Sequence, residues 1–224
     1  MDGPQLPAPV TKPSPLGAME MMEKVISESP VPVTIVATGP FTNVAAFLLS
    51  HPHLKSKIEC ISVMGGGVWE GSRTAVAEFN IWNDPEAAQI VMMSGIPVIL
   101  CGLDVTHKAL IREDEFHLFR EKQTSIHQFV ADLLDFYSIC YVKERKLAGC
   151  PMHDSCAMVS ILEPDMFTYQ NTHIEVDLDG AASRAGCVVD LRTPKRRGKP
   201  DNGKVALDVD RPRFFRLIMD SCDR

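Results

Sequence analysis

Short, unbroken apolar runs closed by glycine alternate with helix-forming stretches, and that alternation constrains the chain more than any other feature. Val33-Thr34-Ile35-Val36-Ala37-Thr38 is rich in β-branched residues and stops at Gly39-Pro40, after which Asn43 to Leu49 is amphipathic. Ile58 to Met64 is a second apolar run, stopped by Gly65-Gly66-Gly67, and Pro97 to Cys101 is a third, stopped by Gly102. A strand that is apolar on both faces must be covered on both, which strand–helix alternation achieves with a parallel sheet. Ahead of the third run, Asp84-Pro85-Glu86 opens a helix: an Asp cap, a Pro in the first turn and an acid beside it. That helix carries Ala87-Ala88 and Ile90-Val91 and is expected to end at Gly95. The expected fold is therefore α/β, with a mostly parallel central sheet flanked by helices.

From Arg112 to Arg145 the pattern turns helical, with Phe116, Phe119, Phe129, Leu133, Phe136 and Tyr137 at helical spacings. His153 to Leu162 reads as another helix, Ile174–Val176, Cys187–Val189 and Val205–Leu207 as strands, and Arg213 to Met219 as a closing helix. Met1 to Pro15 is a proline-rich, irregular lead-in. No internal repeat or boundary signal appears, so residues 1–224 are expected to form one domain, with 1–30 as lead-in and helix. At 45% hydrophobic residues in 224, the chain has enough apolar matter for a core.

Lys and Arg number 23 against 29 Asp and Glu, a net charge of −6 that offers no general field for nucleic acid or an anionic membrane. The basic run Lys195-Arg196-Arg197 with Lys199 sits among Gly198, Pro200 and Gly203 and reads as a solvated loop. No apolar run is long enough to cross a bilayer, and the first twelve residues hold three prolines and no secretory apolar core. Seven cysteines without a C-x-x-C spacing fit reduced thiols in a cytoplasmic protein.

In open α/β sheets ligands bind at the carboxyl ends of the strands, here Thr38-Gly39-Pro40, Met64-Gly65-Gly66 and Gly102-Leu103-Asp104. The glycine triplet lacks the spacing of a phosphate-binding loop and reads as a tight turn that permits close approach of a ligand. Glu78 and Asn80 are two residues apart; in an extended segment both would point the same way and could grip a polyhydroxylated ligand. The other reading of that stretch is a polar loop before a capped helix. His153 and Asp154 pair the side chain best suited to proton transfer near neutral pH with a hard oxygen donor for calcium or magnesium. Against this stands a plain helix cap beside a surface histidine. A zinc site at Cys150, His153 and Cys156 lacks a fourth ligand, and Asp177-Leu178-Asp179-Gly180 has Val188 where a calcium loop needs Glu. There is no G-x-S-x-G elbow, and Cys60, Cys101 and Cys187 lie in apolar stretches that suit packing.

Together these strings resemble one family. Val36-Ala37-Thr38-Gly39-Pro40-Phe41-Thr42-Asn43-Val44-Ala45 is similar to its T-G-P-L-T-N signature. Met64-Gly65-Gly66-Gly67, Ala77-Glu78-Phe79-Asn80-Ile81 and Asp84-Pro85-Glu86-Ala87-Ala88 resemble its M-G-G…A-E-F-N…D-P-E-A-A block, and Gly102-Leu103-Asp104-Val105-Thr106 and His153-Asp154 follow in order. This is the inosine/uridine-preferring nucleoside hydrolase family, which cleaves the N-glycosidic bond of ribonucleosides to give ribose and a free base. The resemblance implies a small-molecule nucleoside substrate, a calcium ion bound by the Thr38 carbonyl and the Asp154 carboxylate, and a homo-oligomer. It implies a ribose site formed by Met64, Ser72, Glu78, Phe79 and Asn80, with Glu78 and Asn80 at the 5′ hydroxyl and His153 protonating the departing base.

Two departures from the family pattern set further expectations. Family members carry a D-x-D-x-x-x-D-D segment that supplies most calcium carboxylates and the general base, and no such string occurs here. The chain is thus expected to be truncated at its start, with the first strand missing, calcium weakly bound or absent, and activity impaired. Gly71-Ser72 replaces the family's G-N, exchanging an amide for a shorter hydroxyl. The alternative function is a non-catalytic nucleoside- or ribose-binding or regulatory protein on the same scaffold.

Overall fold

In the computed structural model the described residues are 8–196 and 198–223. The first seven residues of the lead-in, Arg197 of the basic run and Arg224 lie outside them. After helix α1 (Ala18–Glu28) come β1 (Val33–Ala37), α2 (Thr42–Ser50), β2 (Ile58–Met64), α3 (Phe79–Asn83), α4 (Pro85–Met92), β3 (Val98–Cys101) and the short α5 (Leu103–Thr106). β4 (Leu110–Arg112), α6 (Phe116–Glu121), α7 (Ser125–Ser138), β5 (Gly149–Pro151) and α8 (His153–Leu162) follow. The chain closes with β6 (Phe167–Thr172), β7 (Ile174–Val176), β8 (Cys187–Val189), β9 (Gly203–Val209) and α9 (Arg211–Ser221).

The central sheet has the order β1-β2-β3-β9-β6. Its first four strands are parallel and β6 runs antiparallel to β9. Side chains alternate between its faces, as a two-residue period requires. Ile61 and Val63 of β2, Val98 and Leu100 of β3 and Val205 of β9 face the core shared with Phe47, Leu48 and Val91 of α2 and α4. Ile99, Cys101 and Ala206 face the opposite core, with Cys156 and Val159 of α8 and Phe214 of α9. Each fully buried aliphatic or aromatic side chain contributes about 1.5–3 kcal/mol, so covering both faces is what holds the layers together. β4–β5 and β7–β8 are separate two-stranded antiparallel ribbons.

The expected α/β architecture is thus present, with local differences. α4 opens as read, Asp84 Oδ1 accepting from Ala87 N at 3.0 Å, but it ends at Met92 and not at Gly95. The Met93 amide closes onto the Gln89 carbonyl at 2.9 Å, and Gly95, at φ +84°, turns the chain into β3. The helical stretch from Arg112 to Arg145 is two helices separated at Gln123, whose φ is +56°, and it finishes in a π-helical turn, Ile139–Glu144. The tip of β3 leads into a helical turn, α5, and not into a plain loop. β4, β5 and β6 are strands that the apolar pattern did not announce.

Candidate active site

Loops at the carboxyl ends of β1, β2 and β3, joined by the amino end of α8 and the last turns of α7, enclose a cavity of about 500 Å³. All eight residues expected at a site line it: Thr38, Met64, Ser72, Glu78, Phe79, Asn80, His153 and Asp154. They come from segments more than a hundred residues apart in sequence, brought together by parallel strands that end on one side of the sheet.

Glu78 and Asn80 reach the cavity by a different route from the one expected. Asn80 is helical, in α3, and Glu78 is that helix's N-cap. The Glu78 Oε2 accepts from the backbone N–H of Asn80 at 2.8 Å, of Ile81 at 3.4 Å and of Gly66 at 3.0 Å. One carboxylate oxygen therefore caps a helix and fixes the glycine turn after β2, leaving Oε1 for a ligand. Burial raises the Glu78 pKa, and the backbone N–H bonds oppose that rise. Asn80 Nδ2 donates to the Met64 carbonyl at 3.0 Å and the Thr38 carbonyl at 3.4 Å, tying the ends of β1 and β2 together. Its side-chain oxygen is the free end. Ser72 Oγ accepts from Phe79 N at 3.1 Å and keeps its proton to donate.

The Gly65-Gly66-Gly67 turn does make a close approach, though to protein. Gly66 has φ +69°, and a Cβ there would sit 2.4 Å from Cys187 Sγ. The loop after it is pinned by buried Asp104, whose carboxylate accepts from Val68 N at 2.7 Å and Trp69 N at 3.2 Å. Asp104 is a positioning residue that the sequence marked only as part of a turn.

On the opposite wall, His153 is held at both ring nitrogens: Nδ1 lies 2.7 Å from Thr106 Oγ1 and Nε2 lies 3.1 Å from Tyr141 Oη. Tyr137 packs against Tyr141 with ring centroids 4.5 Å apart and the rings tilted by 44°. Burial, with help from nearby His107 and Arg145, pushes the His153 pKa down to about 4, so at neutral pH the imidazole is uncharged. Burial and the neighbouring Tyr141 phenol push the Tyr137 hydroxyl well up. Tyr137, Tyr141 and Arg145, all cavity-lining, were missed in the sequence. Their only signal was a spacing of four residues on the helix that precedes His153, which reads equally as core packing.

Asp154 lies in the first turn of α8, and partial desolvation raises its pKa. Calcium takes six to eight oxygens. The donors expected to hold calcium, the Asp154 carboxylate and the Thr38 carbonyl, both line this cavity, and the latter already accepts from Asn80. Among the described residues no three His, Cys, Asp or Glu side chains are grouped to share an ion. By themselves these donors do not fit a calcium cage.

Comparison with known proteins agrees with this geometry. A family profile described as inosine-uridine preferring nucleoside hydrolase matches residues 1–216. The chain is 46% identical over 222 residues to the pyrimidine-specific ribonucleoside hydrolase RihA of Escherichia coli O8 (strain IAI1), covering 98% of this chain and 70% of that protein. Among solved structures it is similar to a purine-preferring ribonucleoside hydrolase from Gardnerella vaginalis, with TM-score 0.87 and 32% identity over 97% of this chain and 69% of that one. A plant nucleoside hydrolase superposes with TM-score 0.85 at 26% identity, covering 95% of this chain and 68% of that one. Motifs, sheet topology, cavity and relatives converge, and the chain belongs to the inosine-uridine preferring nucleoside hydrolase family.

Proposed function

We propose that this chain binds a ribonucleoside in the cavity beyond β1–β3 and carries the machinery for cleaving its N-glycosidic bond to ribose and a free base. The observation that supports this most is the convergence of Thr38, Met64, Ser72, Glu78, Phe79, Asn80, His153 and Asp154 on one cavity of about 500 Å³, a size suited to a small ligand. The sugar lies against Glu78, Asn80 and Met64. The free oxygens of Glu78 and Asn80 accept from its 5′ hydroxyl, and Ser72 donates to it. Asp154 supplies negative charge near the anomeric carbon, where an oxocarbenium-like transition state develops positive charge.

The base lies against His153 and Tyr141. Cleavage leaves an electron pair on the base nitrogen, and a proton delivered through the Tyr141–His153 pair neutralises it. Because the imidazole is neutral at physiological pH, this pair passes on a weakly acidic proton and does not act as a standing imidazolium. Relatives at 45–46% identity are named pyrimidine-specific, so uridine is the first substrate to test, with inosine beside it.

The Asp154 carboxylate and the Thr38 carbonyl are too few to hold a calcium ion firmly. We infer weak divalent-cation binding and slow turnover for the chain acting alone. No observation favours a purely non-catalytic binding role. The thiols are all unpaired, which supports a reducing, cytoplasmic setting, and no described helix is long and apolar enough to cross a membrane.

The test is release of reducing sugar from uridine and inosine, with and without added calcium. Slow, calcium-stimulated release that is abolished in Asp154→Ala supports the reading. Absence of both turnover and nucleoside binding overturns it, and rapid turnover with no added cation overturns the inference of weak activity.

A further inference from the structure

Two arginines line the cavity, Arg73 and Arg145, and among the described residues no carboxylate pairs with either. Arg120, Arg184, Arg192, Arg211 and Arg213 hold carboxylates, whereas Arg73 and Arg145 lie at the cavity wall without one. Arg73 is also held in place. Its N–H and that of Ser72 both donate to the Ala77 carbonyl at 2.9 Å. Its guanidinium lies 4.7 Å from the centroid of Trp82 and 5.9 Å from that of Phe79. Stacking of this kind fixes the plane of the group and leaves its N–H edge available, and the planar fork matches phosphate oxygens.

The position of Arg73 along the cavity decides what it can meet. It follows Ser72, whose hydroxyl is free to donate, and stacks on Phe79, which lies between Glu78 and Asn80. This is the end of the cavity to which the proposed function assigns the 5′ carbon of the sugar, and the inference rests on that reading. A phosphate here takes the place of the 5′ hydroxyl, so the Arg73 charge must offset the Glu78 carboxylate, one oxygen of which is already engaged by three backbone N–H groups.

We propose that Arg73 and Ser72 form a phosphate-binding pair, so that the cavity takes nucleoside 5′-monophosphates as well as nucleosides. Hydrolysis of such a substrate adds one water across the glycosidic bond. The water oxygen bonds to the anomeric carbon, the carbon–nitrogen bond breaks with its electron pair going to the base, the base takes a proton, and ribose 5-phosphate leaves with its ester intact.

The experiment is calorimetric titration of the full chain, calcium present, with uridine, uridine 5′-monophosphate and inorganic phosphate. The monophosphate is expected to bind about tenfold or more tightly than uridine, as a charge-assisted bidentate contact allows. That preference should vanish in Arg73→Ala, with uridine affinity and melting temperature unchanged, and return in part in Arg73→Lys. A monophosphate that binds no better than uridine, or a preference that survives Arg73→Ala, overturns the proposal while leaving the nucleoside site standing. Inorganic phosphate binding as tightly as the monophosphate also overturns it, since the anion would then be held without the sugar. Failure of uridine itself to bind removes the functional reading and this proposal together.

Discussion

His153 shows how a side chain's surroundings decide its chemistry. The sequence offers an imidazole next to a carboxylate, a combination that suggests a charged acid. Enclosed by Tyr141, Thr106 and His107, the ring titrates at about 4 against its ordinary 6.5. The unfolded chain therefore takes a proton near pH 6.5 that the folded chain refuses until about pH 4, and stability falls as pH drops across that window. Between pH 7 and 4.5 this group alone should cost about 2 kcal/mol, after allowing for its partial exposure. Denaturant melts of the wild type and His153→Gln across that range measure it; parallel curves would show that the ring is not held neutral. Glu78 separates two roles in the same way. Glu78→Gln keeps one oxygen for the three backbone donors and should cost well under about 1 kcal/mol of stability while weakening uridine binding, whereas Glu78→Ala also uncaps α3 and should cost about 1–2 kcal/mol. Equal melting temperatures for the two variants would remove the capping role.

At the scale of elements, the glycine turn after β2 is the most constrained point in the site. Gly66→Ala meets a left-handed backbone and the Cys187 sulfur together, and a loss of about 2–4 kcal/mol is expected. Cys187→Ala in the same chain removes the clash but not the backbone strain, so it should restore part of the loss; no recovery in thermal melts would mean that the strain acts alone. Such close approaches also mark where reading the sequence succeeds and fails. β2, β3 and β9 were visible because central parallel strands are apolar on both faces, as Ile61, Val63 and Leu100 show, and the edge strand β1 was visible because it is rich in β-branched, apolar residues. β6 was not, because an edge strand that reads Thr168, Gln170 and Asn171 lacks that signature and takes its position from pairing with β9. The site residues in short contiguous strings, Glu78 to Asn80 and His153-Asp154, were legible as chemistry. Tyr137, Tyr141 and Arg145 were hidden because their function depends on where a helix ends relative to α8. No local pattern encodes that geometry. Arg73 was passed over because its stacking on Trp82 exists only once the loop and α3 are folded together.

The central sheet ends in two edge strands among the described residues, the polar β6 and the β-branched, apolar β1. Among the described residues β1 is hydrogen-bonded on one side only, to β2, so its other edge presents unpaired N–H and C=O groups. α8 packs beside it, and Met158 and Leu162, four residues apart on that helix, are 47% and 63% exposed. An open edge next to apolar side chains is a template for pairing with another chain, and two copies meeting edge to edge would satisfy both sets of backbone groups. The chain as given should therefore self-associate with rising concentration. Replacing Met158 and Leu162 with Lys puts two charges on the exposed face of the helix that packs against β1, outside the cavity lining, and copies that approach this side must then desolvate or oppose those charges. The double variant is expected to remain monomeric at about tenfold higher concentration than the wild type, a difference of about 1.4 kcal/mol in association free energy. Sedimentation velocity across a concentration series reads this directly. Because α8 also carries His153 and Asp154 at its other end, uridine affinity serves as the internal control. If self-association is unchanged while that affinity holds, the contact runs through some other surface and the exposed edge of β1 is not what draws the chains together.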